Sequence, residues 1–552
     1  MDMNMPIRPP LSGAASTGTD ERAPTIGVLL DISGASSRLL LDMHALSAFA
    51  AQQGPDVEPA GQVGSLVKLQ IGKIWVVAGI RSTRLADDGS NLIADVDLMG
   101  EGYEPAPGQG MRGFRRGVTR YPLPGSPVYP VPRDVLRQIY ATQDRPHITV
   151  GTVHMTRDLP AALYVDPLLG KHFALVGSTG TGKSTTAALI LHRICDYSPH
   201  GHIVVIDPHG EYGKAFADKG ELLDVSNLQL PYWLLNFHEH CDILLTSEGS
   251  ARQIEADILA RCILAAKAKS RAAQDIPRLT VDAPIPYLLS DLTAILQAEM
   301  TRMDRGSDNA PYLRLKARLE EIRSDPRYAF MFSGMLVADT MAAFLKRVFR
   351  LPAQGKPISI VDVSAVPSEI TSVVVAVLSR LVFDFAIWSR GETSKPVLLV
   401  CEEAHRYVPN ERAGSGSSAA GILSRIAKEG RKYGVSLGLI TQRPSDLAEG
   451  VLSQCGTILT MRLNNERDQA FVRAAMPEDA RGLLDAIPAL RNRECIIVGE
   501  GVTTPIRLSF DLLEPALCPA SASPSFIEMW QQEGGEDALV DRTIRRWRTQ
   551  GR

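Results

Sequence analysis

The sequence lacks the features that mark exported and membrane-bound proteins. Its 552 residues contain no apolar run that we expect to span a bilayer. Residues 1–24 have no apolar stretch of the kind that forms the core of a signal peptide. We expect these residues to be disordered, and the protein to be cytoplasmic with no membrane partner.

Neither cysteine nor net charge points to a site. The seven cysteines are scattered and show no CxxC spacing, which favours reduced thiols over a metal site or a disulfide framework. The net charge is −3 at pH 7, so the surface as a whole is not basic. A local basic lining would still suffice to bind nucleic acid, and composition therefore leaves the partner open.

The first part of the chain has the pattern of a small β-barrel or sandwich. Residues 25–158 contain short β-rich runs, from IGVLL to HITVGTV, that glycine, proline and aspartate separate at short spacing. A segment rich in glycine, proline and arginine lies within this region. Its arginines either contact phosphate or a neighbouring subunit, or lie in a solvated loop; they are Arg112, Arg115, Arg116 and Arg120.

The second part has the pattern of an α/β domain. Between residues 159 and 515, near-continuous apolar runs such as HFALVG and VLLVCEE alternate with helical stretches, as in a parallel sheet covered on both faces. Residues 248–350 lack strand patterns and predict a helical insertion. ECIIVGEG and TPIRLSFDLL predict a final hairpin, and residues 516–552 form a tail with a short helix.

One segment carries the pattern of a phosphate-binding loop, G-x-x-x-x-G-K-[ST], between an apolar strand and an amphipathic helix. Glycines let backbone N–H groups turn towards phosphates, and the helix N-terminus adds its dipole. We expect Lys183 to reach the β- and γ-phosphates of ATP, and Ser184 to bind Mg²⁺. The residues predicted to hold the nucleotide are Gly177, Ser178, Thr179, Gly180, Thr181, Gly182, Lys183, Ser184 and Thr185.

Two adjacent carboxylates follow another apolar strand, in VLLVCEEAH. The carboxyl ends of sheet strands are where ligands bind in α/β folds. We expect Glu402 to face the Mg²⁺ ion and Glu403 to orient the attacking water. A solvated acid at the start of a helix is the alternative interpretation of Glu403.

Polar residues also end two further strands. In HIVVIDPHGEY, Asp207 is a candidate for a further carboxylate near Mg²⁺, and His209 either contacts the nucleotide or completes a turn. In GLITQRPSD, Gln442 is placed either to sense the γ-phosphate or to cap a loop.

A cationic segment precedes that last strand, in RIAKEGRKYGVS. A solvated face is the usual outcome for such a row of charges. In a ring ATPase, however, one such arginine reaches the γ-phosphate of the neighbouring subunit and stabilises transition-state charge. Arg431 is our candidate for this role, among Arg425, Lys428, Arg431 and Lys432.

Together, LVGSTGTGKSTT, VVIDPHGEY, LLVCEEAHRYVP, RIAKEGRKYGVSLGLITQRPSDL and VLSQCGTILTMRL resemble the HerA-type ATPases of the HerA/FtsK superfamily. The resemblance covers roughly residues 27–513. It implies a RecA-like P-loop core after a small β-barrel, and a homo-hexameric ring with ATP sites between subunits. It also implies a pore for double-stranded DNA, and a partner effector such as a NurA-type nuclease or a sirtuin-like NADase.

The resulting expectation is an ATP-hydrolysing motor that translocates or unwinds DNA, in DNA end processing or antiphage defence. The alternative is a scaffold that uses ATP binding to hold an effector and shows little motor activity. The adjacent acids Glu402 and Glu403 favour hydrolysis, because a pure binding module has no use for a water-polarising acid. A conjugation-type or FtsK-type pump is a third interpretation, against which the expected lack of a membrane segment argues.

Overall fold

In a computed structural model the chain forms two compact units, residues 1–141 and 142–552. The predicted disordered start, residues 1–24, lies outside the described residues except for residue 24. The structure describes residues 24–34, 36–53, 60–106, 111–142, 144–154, 156, 158–302, 308–333, 338–392, 395–410, 418–477, 480–520, 527, 530–531 and 537–549.

The first unit is a small β-barrel. Its sheet has the strand order β2-β1-β7-β3-β4-β5-β6, and β2 also pairs with β5, which closes six of the strands into a ring. The strands are β1 (Gly27–Ser33), β2 (Ser36–Asp42), β3 (Leu66–Ile71), β4 (Ile74–Leu85), β5 (Asn91–Tyr103), β6 (Arg112–Arg116) and β7 (Pro127–Pro130); the helices are α1 (Met43–Gln53) and α2 (Arg133–Ile139).

Alternating side chains fill the interior of this barrel, as the period of two along a strand requires. Leu39 and Leu41 of β2 point inwards with Val67 and Leu69 of β3. The arginine-rich segment contains a strand, β6, which among the described strands pairs with β5 alone. The predicted barrel is therefore confirmed, and β6 is an edge strand where a loop was expected.

The second unit is built on an eleven-stranded sheet in the order β12-β13-β11-β14-β15-β10-β16-β17-β18-β8-β9. Its strands are β8 (His147–Val153), β9 (Pro160–Tyr164), β10 (Phe173–Val176), β11 (Ile203–Asp207), β12 (Gly220–Leu223), β13 (Ile358–Asp362), β14 (Val397–Cys401), β15 (Val435–Thr441), β16 (Thr457–Thr460), β17 (Glu494–Gly499) and β18 (Ile506–Phe510).

Helices connect and follow these strands. They are α3 (Val165–Gly170), α4 (Lys183–Tyr197), α5 (Phe237–Leu244), α6 (Gly249–Ala268), α7 (Leu289–Arg302), α8 (Ala310–Ser324), α9 (Ala329–Phe332), α10 (Met341–Val348), α11 (Ser368–Trp388), α12 (Ser418–Glu429), α13 (Glu449–Leu452), α14 (Glu466–Ala474), α15 (Arg481–Leu484) and α16 (Asp537–Thr549).

The parallel part of the sheet gathers the polar residues that end its strands. β13, β11, β14, β15, β10 and β16 are neighbours in that order, and each pairs in parallel with the next. Their carboxyl ends therefore lie along one edge of the sheet, where ligands bind in open α/β folds. Helices α6 to α10 lie between β12 and β13 in the chain, where the helical insertion was predicted.

One strand lies in a different unit from the one the sequence suggested. HITVGTV was placed in the barrel region, residues 25–158, but it forms β8 and pairs with β18 and β9 in the large sheet. The hairpin of β17 and β18 is confirmed. Its partner β8 lies far away in sequence, and a strand pattern alone does not reveal which edge a strand joins.

The expectation that no apolar run reaches membrane-spanning length is wrong for α11. By length and composition, this is the one helix within the described ranges that could cross a membrane, and 67% of its most apolar window is buried. Its buried side chains belong to the same hydrophobic core as those of β14 and β15. A core position against the sheet thus accounts for the apolar composition of α11.

A buried lysine joins α6 to the loop that precedes α7. Lys267 is fully buried, and its Nζ donates hydrogen bonds to the carbonyl oxygens of Val281 (2.6 Å) and Ala283 (2.7 Å). Burial lowers the pKa of Lys267 to about 8 from its usual 10.5. Between these two pH values the unfolded chain binds more protons than the folded chain, so folding stability should rise with pH.

We therefore expect the melting temperature of the wild type, relative to Lys267→Met, to increase from about pH 7 to about pH 10. At both pH values Lys267→Met should be the less stable, because two buried carbonyl groups lose their donor. Differential scanning calorimetry measures this difference. Lys346→Met, at an exposed lysine on α10, is the control and should show no such trend. A constant difference across the pH range would contradict the prediction.

Candidate active site

The phosphate-binding loop lies between β10 and α4, as the sequence predicts. Gly180 and Gly182 have φ angles of 77° and 96°, a region that side chains other than glycine rarely adopt. These two glycines turn the loop back on itself, so that α4 begins at Lys183. Lys183 Nζ donates a hydrogen bond to the carbonyl oxygen of Ser178 at 3.1 Å, which draws the lysine over the loop.

Neighbouring strand ends hold this loop in place. Ser178 N donates to the carbonyl oxygen of Arg462 (2.8 Å), and Ser178 Oγ accepts from Asn464 N (3.1 Å). A Cβ atom on Gly177 would lie 2.8 Å from the Cβ of Met461, which is closer than packed atoms approach. The segment after β16 therefore supports the loop and requires glycine at position 177.

Lys183 is buried among carboxylates. Burial lowers its pKa, and the charges of Glu403, Glu402 and Glu211 oppose that shift. One lysine therefore faces several acids at the carboxyl edge of the sheet.

Glu402 follows β14 directly and is buried. Tyr212 donates its hydroxyl hydrogen to Glu402 Oε2 at 2.8 Å, and the same hydroxyl lies against Ser184. Burial raises the pKa of Glu402 to about 8; the charge of Glu403 adds to the rise and that of Lys183 opposes it. A divalent cation would relieve this energetic cost, and a carboxylate with a hydroxyl is a donor set that suits Mg²⁺.

Glu403 has an unusual backbone conformation. Its φ is 51°, in the left-handed region, although the residue is only 7% exposed. Such a conformation costs on the order of 1–3 kcal/mol and persists only where the surroundings impose it. The buried position excludes the alternative of a solvated acid at a helix start.

Two histidines flank the carboxylate of Glu403. His405 Nδ1 is 3.2 Å from Oε2, and His209 Nε2 is 4.0 Å from Oε1. His405 Nδ1 is also 3.0 Å from Thr441 Oγ1, and burial lowers the pKa of His405. No hydrogen bond with acceptable geometry reaches the buried Oε2 atom from the part of the protein that is described. Glu403 Oε2 thus keeps capacity to accept a hydrogen bond.

Asp207 shapes the loop that carries His209. Its carboxylate accepts backbone hydrogen bonds from His209 (3.1 Å), Gly210 (2.9 Å) and Tyr212 (2.9 Å). These bonds position Tyr212 beneath Glu402 and His209 beside Glu403. Direct contact of Asp207 or His209 with a nucleotide or Mg²⁺ stays a prediction.

Gln442 lies beside the phosphate-binding loop. It follows β15, and its Oε1 accepts a hydrogen bond from Thr179 Oγ1 at 2.5 Å. A polar cavity of about 540 Å³ opens here and is also lined by Arg443 and Arg467. The structure therefore brings Gln442 to the loop, as a residue that senses the γ-phosphate requires.

Arg431 lies near the amino ends of the parallel strands, whereas the phosphate loop lies at their carboxyl ends. It belongs to the 3₁₀ turn Gly430–Tyr433, which precedes β15, whereas Gln442 follows that strand. Its charge lowers the pKa of His172, the residue just before β10, after the larger effect of burial. The seven residues of β15 span about 23 Å. The exposed Arg431 therefore cannot reach the phosphate loop of its own subunit.

Three residues that lie at this site were given no functional role from the sequence. Tyr212 and Glu211 lie in the HIVVIDPHGEY segment, five and four residues after Asp207, and His405 lies two residues after Glu403. Buried polar residues close to the end of an apolar strand were the available signal. Their partners, Glu402, Lys183 and Glu403, became visible only in the folded chain.

The sheet, the loop between β10 and α4, and the acids after β14 define a RecA-like P-loop ATPase. Residues 148–382 match the family model described as "Helicase HerA, central domain". This match confirms the resemblance to HerA-type ATPases seen in the sequence, and the chain is an ATP-binding and ATP-hydrolysing enzyme.

Similar proteins span most of the chain. The DNA double-strand break repair helicase HerA of Pyrococcus furiosus is 27% identical over 456 residues, 76% of this chain and 77% of that protein. A probable DNA double-strand break repair helicase HerA of Methanocaldococcus jannaschii is 26% identical over 483 residues, 81% and 92% of the two chains. VirB4 of Thermoanaerobacter pseudethanolicus aligns in structure with a TM-score of 0.48 and 17% identity, over 68% of this chain and 99% of that one.

Proposed function

We propose that the protein is an ATP-driven motor that translocates double-stranded DNA. The observation that carries this proposal is Glu403, a buried carboxylate in a strained backbone conformation next to the phosphate loop. A protein that only binds ATP has no need to hold a base there at this energetic cost. The scaffold alternative requires ATP binding alone and leaves the conformation of Glu403 without a purpose.

The residues divide the chemical work as follows. Backbone N–H groups of the phosphate loop and Lys183 hold the β- and γ-phosphates. Ser184 and Glu402 hold Mg²⁺, which neutralises charge on the phosphate oxygens when it is bound. Glu403 orients the attacking water and accepts its proton. Gln442, tied to Thr179, reports the presence of the γ-phosphate to the segment after β15.

The site is completed in a homo-hexameric ring. Arg431 lies at the amino ends of the strands, on the side opposite to the phosphate loop of its own subunit. A residue that contacts the ATP of the next subunit is expected on that side. In a ring with head-to-tail contacts, the surface that carries Arg431 faces the surface of the neighbouring subunit that carries its phosphate loop. Arg431 then reaches the neighbour's γ-phosphate and stabilises the charge of the transition state.

Duplex DNA is the proposed substrate of the motor. The relatives from Pyrococcus furiosus and Methanocaldococcus jannaschii carry names that describe DNA double-strand break repair helicases. A motor that moves along DNA contacts the phosphate backbone, so its binding should depend on salt and tolerate any sequence. The net charge of −3 is compatible with a ring in which the pore alone is basic.

A partner effector completes the proposal. Because this chain resembles HerA-type ATPases, one candidate partner is a NurA-type nuclease. A second candidate is a sirtuin-like NADase or another nuclease. The pathway would be DNA end processing with the first and antiphage defence with the second, in the cytoplasm in both cases. Co-purification from the native host distinguishes the two partners.

Stimulation of ATP turnover by DNA tests the motor. We expect a duplex of about 30 base pairs to raise the turnover of the wild type several-fold at low salt, and the effect to fall as salt rises. Lys183→Ala should show no turnover with or without DNA, because the γ-phosphate loses its cationic partner. Phosphate release measures both. Turnover that stays the same with duplex, single-stranded and no DNA would favour the scaffold.

A further inference from the structure

A second polar cavity lies near Glu403, on the side of β14 that faces away from the phosphate loop. Its lining residues follow β11, β13 and β14 or belong to the start of α11, whereas the phosphate loop follows β10, which β15 separates from β14. The cavity has a volume of about 370 Å³. None of the predicted roles uses this space, although His209 is part of its wall.

The lining of this cleft is cationic and rich in hydroxyl groups. Arg406 is exposed, and no carboxylate forms an ion pair with it in the described portion of the chain. No aspartate or glutamate is among the lining residues. The polar residues that line the cleft are His209, Ser364, Ser368, Thr371, Ser372, Arg406 and Tyr407, and the Thr371 hydroxyl donates to the carbonyl oxygen of Pro367 at 3.0 Å.

Acids also lie around the cleft, and Glu369 in the first turn of α11 is adjacent to Ser368. Asp362 accepts a hydrogen bond from Ser364 N at 2.8 Å, and Glu403 lies behind His209 at 4.0 Å. Helix α11 begins at Ser368, and no side chain caps its N-terminus, which directs partial positive charge towards the cleft. The Oγ of Ser372 is buried and has no hydrogen-bond partner within the described residues. The cleft therefore offers donors and positive charge to an acceptor that the protein itself does not supply.

We infer that this cleft is a second phosphate-binding site, separate from the phosphate-binding loop. A phosphate group matches it because its oxygens accept several hydrogen bonds at once, and arginine binds them in a two-pronged fashion. The phosphate comes either from the DNA backbone or from the inorganic phosphate that hydrolysis releases. The first source rests on the proposed function, and the second needs only ATP hydrolysis.

This site would connect a bound phosphate to catalysis through a positioning residue. His209 lines the cleft, and its Nε2 lies 4.0 Å from Glu403 Oε1. A phosphate that accepts a hydrogen bond from His209 fixes the orientation of the imidazole ring. The ring in turn sets the electrostatic surroundings of Glu403, so occupation of the cleft changes the rate of water attack.

Phosphate binding can be measured with the phosphate loop already filled. The wild type, saturated with Mg²⁺ and a non-hydrolysable ATP analogue, is titrated with inorganic phosphate at constant ionic strength, and calorimetry records the binding. In a parallel titration, fluorescence anisotropy follows a labelled duplex of about 30 base pairs at several salt concentrations. Arg406→Gln removes the main cation, and Ser368→Glu puts a negative charge at a helix start that favours acids.

We expect both variants to weaken the binding of at least one probe by about tenfold, because Arg406→Gln loses a charge-assisted hydrogen bond and Ser368→Glu adds a charge that repels phosphate. Arg327→Gln, at an exposed arginine that pairs with Asp325, is the control and should bind as the wild type does. Weaker phosphate binding alone identifies released phosphate as the ligand, and weaker duplex binding alone identifies the DNA backbone.

Wild-type affinity of both variants for both probes would overturn the inference. If the wild type fails to bind duplex DNA, the proposed function fails, and the phosphate titration still decides the question of the cleft. Far-ultraviolet circular dichroism confirms that each variant is folded. Because Arg406 and Ser368 are both exposed, we expect neither substitution to prevent folding.

Discussion

Glu403→Gln is expected to bind ATP nearly as tightly as the wild type and to lose at least about a hundredfold in turnover. The amide has the same shape but cannot accept the proton of the attacking water. Nucleotide affinity should survive because the phosphate loop, and not Glu403, contacts the phosphates. Single-turnover hydrolysis and the binding of a fluorescent ATP analogue separate the two properties.

The matched control for this variant is Glu211→Gln. Glu211 also acts electrostatically on Lys183, but it lies after β11, and no role in water activation is assigned to it. Its substitution should change turnover by much less than that of Glu403. Normal hydrolysis by Glu403→Gln would remove Glu403 from its role, and a loss of ATP binding would show that the substitution disturbs the loop.

Arg431→Ala is expected to assemble into rings and bind ATP, and to lose about a thousandfold or more in turnover. Arg431 is exposed and lies at the amino end of β15, far from the phosphate loop of its own subunit. Its removal should therefore leave the fold and the phosphate loop unchanged. The loss arises in the transition state, where the charge that develops on the γ-phosphate has no cation from the neighbouring subunit.

Lys432→Ala is the control for Arg431→Ala, because Lys432 is the adjacent exposed cation. It should retain most of the activity if position 431 alone reaches the neighbour. Size-exclusion chromatography with light scattering establishes assembly, and phosphate release measures turnover. Equal losses in the two variants would mean that the cationic segment acts as a general basic surface, the alternative interpretation of this segment.

The phosphate loop could be predicted from the sequence because its chemistry is local. Gly180 and Gly182 are required by their positive φ angles, and Lys183 follows them at fixed spacing. The positions of Glu402 and Gln442 were predictable for a related reason. Both follow apolar strands, and the carboxyl ends of parallel strands meet at one edge of a sheet.

Contacts between distant segments could not be predicted in the same way. Tyr212 binds Glu402 across 190 residues of sequence, and β8 pairs with β18, which lies far towards the C-terminus. The strained backbone of Glu403 likewise depends on the surrounding fold, since glutamate, unlike asparagine, aspartate or histidine, is not enriched in the left-handed region. The apolar length of α11 was missed because Glu369, Arg380 and Asp384 interrupt its apolar residues.

The central claim is that each active site combines the phosphate loop of one subunit with Arg431 of its neighbour. Mixing Arg431→Ala with Lys183→Ala subunits tests it most directly, since each variant alone should be inactive. Random mixing in equal amounts should restore about a quarter of the wild-type turnover, because that fraction of interfaces pairs an intact Lys183 with an intact Arg431. Recovered turnover would support the claim. A mixture as inactive as its two components, although mixed rings form, would contradict it.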